Sequence, residues 1–220
     1  MIYFNTFIGY ATGEIIQQYW PAYVQDTFDP TQNDKLNAFL DANFRFMNKN
    51  IAQAKNSSDN ALKTYWHHVS LLLQQVEGLH SGYLKLALEK KFSPLLSLTD
   101  FFKYQIGGDM DDLSSKWDPP SFNTMNKFEM ESFAIFSTRC SAFIKYNKDR
   151  SDIFLTHATW AGYVNIMRIF KHYRINFKGV PAQLISFSSA PAWLASLDDF
   201  YITSAGLGKF ILILIIENLL

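Results

Sequence analysis

One cysteine, no net charge and no apolar stretch long enough for a membrane helix: each shortage in this sequence of 220 residues removes a class of protein. A single cysteine excludes a disulfide framework within the chain and every zinc site built from several cysteines. It does not exclude a nucleophile. Twenty Lys and Arg set against 20 Asp and Glu leave no basic surplus. The densest basic group, Lys145, Lys148 and Arg150, is interleaved with acids, so nucleic acid is not an expected partner. The run Phe210 to Ile216 (FILILII) is far shorter than the roughly 18 to 20 residues a membrane helix needs, so it reads as a buried strand and no transmembrane segment is expected. No G-x-G-x-x-G and no G-x-x-x-x-G-K-[ST] occurs, which removes the phosphate-cradling nucleotide sites, and no cofactor is expected. Met1 to Tyr10 is apolar, but it has no Lys or Arg and is broken by Asn5 and Thr6, so it makes a poor signal peptide.

The hydrophobic share of 48% against a charged share of 18% supplies enough apolar surface for a folded core. Helical spacing governs the first half. Gly9 to Val24 places Ile15, Ile16, Tyr19 and Trp20 on one side, with Pro21 ending or kinking the segment. Leu36, Phe39, Leu40, Phe44 and Met47 recur at three- and four-residue intervals over Asp34 to Ala54. Trp66, Val69, Leu72, Leu73, Val76 and Leu79 form a stripe over Ala61 to Glu89, with Gly78 and Gly82 marking close packing or a bend between two helices. Ser97 or Thr99 caps a further short helix. The texture changes at Ile106: residues 1–105 are a helical part, Ile106 to Lys127 is turn- and loop-rich, and short strand-like runs dominate beyond it. Strands are expected at Ser132 to Phe136, Ser141 to Lys145, Ile153 to Thr156, Leu184 to Phe187, Phe200 to Thr203 and Phe210 to Ile216. A helix is expected over His157 to Tyr173, with Arg168, Lys171 and Arg174 at its cation-favouring end. The fold class is α+β in layers. A strand as apolar as Phe210 to Ile216 invites pairing, and self-association of two copies through it is open to this chain.

Two readings attach to each candidate for chemistry. Cys140, in Thr138-Arg139-Cys140-Ser141-Ala142, is either a small buried hydrophobe or a nucleophile exposed where one expected strand ends and another begins, with Arg139 biasing it toward thiolate. His157 follows an expected strand and opens an expected helix, a place where sites form, although a histidine there can equally be satisfied by backbone. His67 and His68 point about 100° apart on a helix and cannot share a metal. The Asp198-Asp199 step suits acid/base work, or a turn whose side chains bond nearby N–H groups.

Three ordered runs carry a resemblance: Cys140-Ser141-Ala142-Phe143-Ile144-Lys145, His157-Ala158-Thr159-Trp160 and Met167-Arg168-Ile169-Phe170-Lys171-His172-Tyr173. They resemble the core of the phospholipase B-like (lamina ancestor-like) family of N-terminal-nucleophile hydrolases. Ile8 to Trp20, Tyr65 to Tyr83 and Ser186 to Leu207 are similar to the same family, so the likeness spans Ile8 to Leu207. It implies an αββα sandwich, here incomplete. It also implies a precursor that cuts itself between Arg139 and Cys140, making Cys140 a new N-terminus, with 106–139 as the loop-rich segment leading to the cut and 140–220 as the start of the nucleophile-bearing part. The freed α-amino group, with an ordinary pKa of ~7.7 to 8.0, can then serve as base for the thiol beside it. His157 would act with Cys140, and Trp160, Ser141 and Thr159 would line the pocket. The substrate implied is a phospholipid, or another acylated small molecule, losing its acyl chain. An amidase of the same architecture and a catalytically inactive fragment or binding module are the alternatives. Family members are longer, lysosomal or secreted glycoproteins, which makes Asn56, in Asn56-Ser57-Ser58, a glycosylation site and the compartment lysosomal or extracellular. After Leu207 the sequence departs from the family pattern and reads as a truncated product, lacking the Asn and Arg side chains expected to complete the pocket.

Overall fold

The computed structural model describes residues 2–119, 124–137, 140–175, 179–196, 198, 200–206 and 208–210. The chain divides into two compact units, Met1–Pro119 with Pro191–Leu194, and Pro120–Ala190 with Ala195–Leu220.

The first unit is helical. Its elements are α1 (Ile2–Thr27), α2 (Asn33–Ala54), α3 (Asn60–Lys90), α4 (Leu98–Gln105) and α5 (Met110–Trp117). Local chemistry sets their ends. The Asp59 carboxylate accepts from the Ala61 and Leu62 amides at the start of α3, and Lys91 closes that helix in the left-handed conformation at φ 57°. Ser97 and Asp100 form a reciprocal capping box on α4. The long pairing of α1 with α3 is set by two glycines. A Cβ on Gly9 would lie 1.9 Å from the Leu79 carbonyl oxygen, and one on Gly82 would lie 1.9 Å from the Thr6 carbonyl oxygen, so the two backbones touch where neither has a side chain. Ile16, Leu36, Tyr83, Ala87, Phe101 and Tyr104 are buried around this contact. Tyr104 donates its hydroxyl to the Ile16 carbonyl at 2.9 Å and stacks on Tyr23 at 4.9 Å, and burial raises the pKa of both phenols. The segment Pro191–Leu194 completes the unit. The Gln105 amide brackets it, donating to the Ala192 carbonyl at 2.8 Å and accepting from the Leu194 amide at 3.0 Å.

The second unit holds α6 (Lys127–Ser137), a two-stranded hairpin of β1 (Ser141–Tyr146) and β2 (Ile153–Ala158), and an antiparallel sheet in the order β3 (Ile169–Arg174), β4 (Leu184–Ser189), β5 (Phe200–Thr203), β6 (Gly208–Phe210). In the hairpin, Ser141 pairs with Ala158 and Tyr146 with Ile153. Its turn closes through Asp149, whose carboxylate accepts from the Ser151 hydroxyl and amide and is held below the usual carboxylate range by those bonds. Phe143, Ile144, Tyr146 and Phe154 are each more than half exposed. In the sheet, Phe187 is buried between Tyr173 and Tyr201, and the Lys171 ammonium lies 5.7 Å from its ring centroid. Burial pushes the Lys171 ammonium down to about 8.

The α+β class, the helices over the first half and the strands β1, β2, β4 and β5 follow the sequence pattern. Other elements differ. Pro21 lies inside α1 rather than ending it, and Gly82 serves close packing within one continuous α3, not a bend between two helices. The segment 106–139 expected to be loop-rich carries α5 and α6, and Ser132 to Phe136, expected as a strand, lies within α6. The helix expected over His157 to Tyr173 is instead the end of β2, a short 3-10 turn at Tyr163–Ile166 and β3. Of its apolar residues, Val164 lies in the 3-10 turn and Ile169 and Phe170 in β3, with the extended Met167 (ψ 112°) between them, so the apparent period spans two different elements. Only the start of the expected C-terminal strand, as β6, is described; 211–216 of that run lie outside the described residues, as does any pairing of copies through them.

Replacing a helical glycine by alanine ordinarily adds helix stability of up to about 1 kcal/mol. Gly82→Ala is expected to do the reverse, costing roughly 1–3 kcal/mol because backbone must move to admit the methyl group. Urea unfolding followed by helical circular dichroism checks this, with Gly108→Ala, whose Cβ meets nothing within 4 Å, as the unaffected control. An unchanged midpoint for Gly82→Ala contradicts the close-approach account.

Candidate active site

The hairpin brings the predicted residues to one end. Cys140 is half-buried, directly precedes β1 and has φ 69°, a left-handed conformation that costs a non-glycine residue about 1–2 kcal/mol. The β1–β2 register pairs Ala142 with His157. Cys140 and Thr159 flank the paired residues at this end of the hairpin, Cys140 just before Ser141 and Thr159 just after Ala158. Within the ladder Ser141 alternates to the face opposite Ala142 and His157. Ser141 is exposed and Trp160 is 54% exposed, so neither is walled into a pocket by the described residues. Arg139, the other side of the proposed scissile bond, lies outside the described residues. Asn56 is exposed in the turn between α2 and α3.

The other histidines are elsewhere employed. His67 and His68 are exposed on α3, His80 meets the Leu96 carbonyl at 3.2 Å, and His172 meets the Ser186 hydroxyl 2.6 Å away across the β3–β4 pair. His157 differs from all of these. Its Nδ1 lies 3.3 Å from the Thr159 hydroxyl, and its Nε2 is buried with no hydrogen-bond partner among the described residues. A cavity of about 230 Å³ between α2 and α3, lined by Lys55, Lys63, Trp66 and His67 among others, contains none of the predicted site residues. Among the described residues no cluster of three or more His, Cys, Asp or Glu could hold a metal ion, and no helix is long and apolar enough to cross a membrane.

Behind His157 stands a carboxylate that the sequence pattern had offered as a turn device. Thr159 donates to Asp198 Oδ1 at 2.8 Å, and Arg168 grips both oxygens, with Nε 2.9 Å from Oδ2 and Nη2 2.8 Å from Oδ1. The Ser188 hydroxyl, at the end of β4, also donates to Oδ2. The loop carrying Asp198 is itself fixed: Ser189 donates to the Ala195 carbonyl at 2.7 Å, and the Tyr201 hydroxyl accepts from the Ser196 amide at 2.8 Å. Burial alone would raise the Asp198 pKa. The hydrogen bonds from Arg168, Ser188 and Thr159, with the guanidinium charge, outweigh it and hold the carboxyl below its ordinary range. Asp199, its neighbour in the predicted pair, lies outside the described residues. Arg168 was expected at a helix end; it is instead the counter-ion of Asp198, 30 residues along the chain, a pairing with no local sequence signature. Ser188 has no signal in the sequence beyond its place in a strand.

Because the folded pKa of Asp198 lies below its unfolded value of about 3.9, its contribution to stability is complete above that value and is lost as pH falls through the lower folded pKa. Asp198→Ala is therefore expected to lower stability at neutral pH by roughly 1.5–3 kcal/mol, with the gap to the parent narrowing as the solution is acidified below about pH 4. Denaturant unfolding at a series of pH values measures it. A gap that does not shrink in acid contradicts an ionised Asp198 in the folded chain.

A family model described as Phospholipase B matches residues 4–218. The chain is 32% identical over 200 residues to phospholipase B-like protein B of Dictyostelium discoideum, covering 88% of this chain and 34% of that protein. It is 31% identical over 202 residues to human phospholipase B-like 1, covering 90% of this chain and 34% of the relative. A putative phospholipase B-like 1 of Caenorhabditis elegans is 36% identical over 176 residues, covering 79% of this chain and 28% of the relative. The chain thus spans about a third of the length of these relatives. Matched along nearly all its residues and by relatives from amoeba, worm and human, the chain belongs to the phospholipase B-like family.

Proposed function

We propose that this chain carries the nucleophile of a hydrolase that removes acyl chains from phospholipids, and that the nucleophile is the thiol of Cys140 after self-cleavage of the Arg139–Cys140 bond. The observation that carries this reading is the left-handed φ of Cys140, immediately before a strand whose Ala142 pairs with His157. Strain of this kind gathers at sites where the backbone itself reacts. Cleavage proceeds by attack of Cys140 Sγ on the carbonyl carbon of residue 139. The peptide C–N bond breaks as the C–S bond forms, the nitrogen of Cys140 takes up the thiol proton, and a thioester results. Water then hydrolyses the thioester, leaving a carboxylate on residue 139 and a free thiol and α-amino group on Cys140.

Turnover repeats the same chemistry on a substrate. The α-amino group accepts the thiol proton, Sγ attacks the acyl carbonyl, and the proton passes to the departing alcohol oxygen of the lysolipid. A second water releases the fatty acid and regenerates the thiol. The substrate class comes from the relatives, which are phospholipase B-like proteins, and the activity is that of the whole family architecture, of which this chain spans about a third. In this reading the β1–β2 hairpin and the β3–β6 meander are the beginnings of the two sheets of an αββα sandwich, and the compartment is lysosomal or extracellular with Asn56 glycosylated.

Incubated for days at acidic and at neutral pH, the purified 25.4 kDa chain is expected to yield two fragments, residues 1–139 and 140–220, with the second beginning CSAFIK by N-terminal sequencing. Cys140→Ala is expected to remain whole. A wild-type chain that also remains whole, or a cut elsewhere, contradicts the nucleophile assignment. With the processed protein, fatty acid release from a phosphatidylcholine is expected to exceed release from an N-acyl amide of the same chain length. The opposite order would leave Cys140 as nucleophile and replace the phospholipase reading by an amidase.

A further inference from the structure

The hydrogen atoms around His157 can be counted. Asp198 is ionised, so both of its oxygens only accept. The one hydroxyl hydrogen of Thr159 is therefore spent on Asp198 Oδ1, at 2.8 Å and toward a negative charge. With that hydrogen committed, the Thr159 oxygen has only lone pairs to offer the imidazole nitrogen 3.3 Å away. His157 Nδ1 must then carry the hydrogen in that contact. A neutral imidazole with a hydrogen on Nδ1 has a bare lone pair on Nε2, and Nε2 is the atom that is buried and without a partner among the described residues. We propose that Asp198, acting through Thr159, locks neutral His157 in the Nδ1–H tautomer, so that Nε2 is kept as a hydrogen-bond acceptor at the end of the hairpin where Cys140 leads into β1.

Thr159 and Asp198 are positioning residues in this scheme, and Arg168 and Ser188 are what hold the carboxylate in place. The arrangement is a relay of the carboxylate–histidine type with a hydroxyl inserted between the two members. It fixes which ring nitrogen can take a proton, as the buried aspartate of a serine-protease triad does. For the proposed chemistry, on whose nucleophile assignment the purpose of the tautomer rests, an Nε2 acceptor can receive a hydrogen bond from the thiol or the α-amino group. An Nε2–H could only donate.

The test reads the ring directly and needs no activity. In a ¹⁵N-labelled 220-residue chain, held at a pH where imidazole is neutral, long-range ¹H–¹⁵N correlation distinguishes protonated from bare ring nitrogens. His157 is assigned by loss of its signals in His157→Gln. The wild-type chain is expected to show a protonated Nδ1 and a bare Nε2. Thr159→Val removes the hydroxyl and is expected to move the population to mainly Nε2–H, the form free imidazole side chains favour, while Thr159→Ser retains Nδ1–H. The signals of His67 and His68 on α3 should not move in either variant. A wild-type His157 protonated on Nε2 overturns the proposal even if no variant folds, and so does an unchanged tautomer in folded Thr159→Val. Repeating the measurement in Cys140→Ala separates the two claims. If the Nδ1–H tautomer is present but the wild-type chain never cleaves, the nucleophile reading fails and the relay stands; cleavage with the wrong tautomer gives the reverse.

Discussion

The strand-rich unit is organised around one half-buried negative charge. A carboxylate taken from water must recover its hydrogen bonds from the protein, and Asp198 recovers four, from the Arg168 Nε and Nη2 groups, Thr159 and Ser188. Those donors come from three places: the residue just past β2, the approach to β3, and the end of β4. Satisfying the charge therefore fixes the end of the β1–β2 hairpin relative to the first strands of the sheet. The same requirement aligns Thr159, and Thr159 in turn faces His157. Structure and proposed chemistry thus share a single electrostatic cause.

The helical unit obeys a different constraint. There the close approach of α1 and α3 leaves no room for a Cβ at Gly9 or Gly82, and aromatic residues fill the space beyond. Two core phenols bond to their surroundings: Tyr104 finds the Ile16 carbonyl, and Tyr83 donates to Gln17 while accepting from the Leu96 amide at 3.1 Å. Gln105 extends the principle to backbone, its amide oxygen and nitrogen both meeting the segment Pro191–Leu194.

What the sequence made legible was whatever depends on near neighbours. The stripe from Trp66 to Leu79 and the cap at Ser97 are local; α3 buries Trp66, Val76 and Leu79 of that stripe while Leu72 is exposed, and Ser97 caps α4. The stretch from His157 to Tyr173 misled because apolar residues at helical spacing straddle the end of β2, a turn and β3, where pairing with β4 supplies the backbone bonds a helix would have supplied. Ser132 to Phe136 misled in the other direction, a short apolar run whose length cannot distinguish strand from helix. At the site, Cys140 and His157 could be named by motif, and the hairpin register sets His157 opposite Ala142, two residues after Cys140. Asp198 could be noticed but not understood, because its partners Thr159 and Arg168 lie 39 and 30 residues away and nothing in sequence spacing joins them.

The central claim is that Thr159 and Asp198 act as one unit, and a double-mutant cycle measures that most directly. Opening free energies from amide hydrogen exchange in β2 would be compared for the parent, Thr159→Val, Asp198→Ala and the double variant, since exchange reports local stability strand by strand. The account predicts strong non-additivity, a coupling of roughly 0.5–3 kcal/mol, because either change alone already breaks the shared hydrogen bond. Effects that simply add, to within about 0.3–0.5 kcal/mol, would mean that the two residues are independent and would contradict the account.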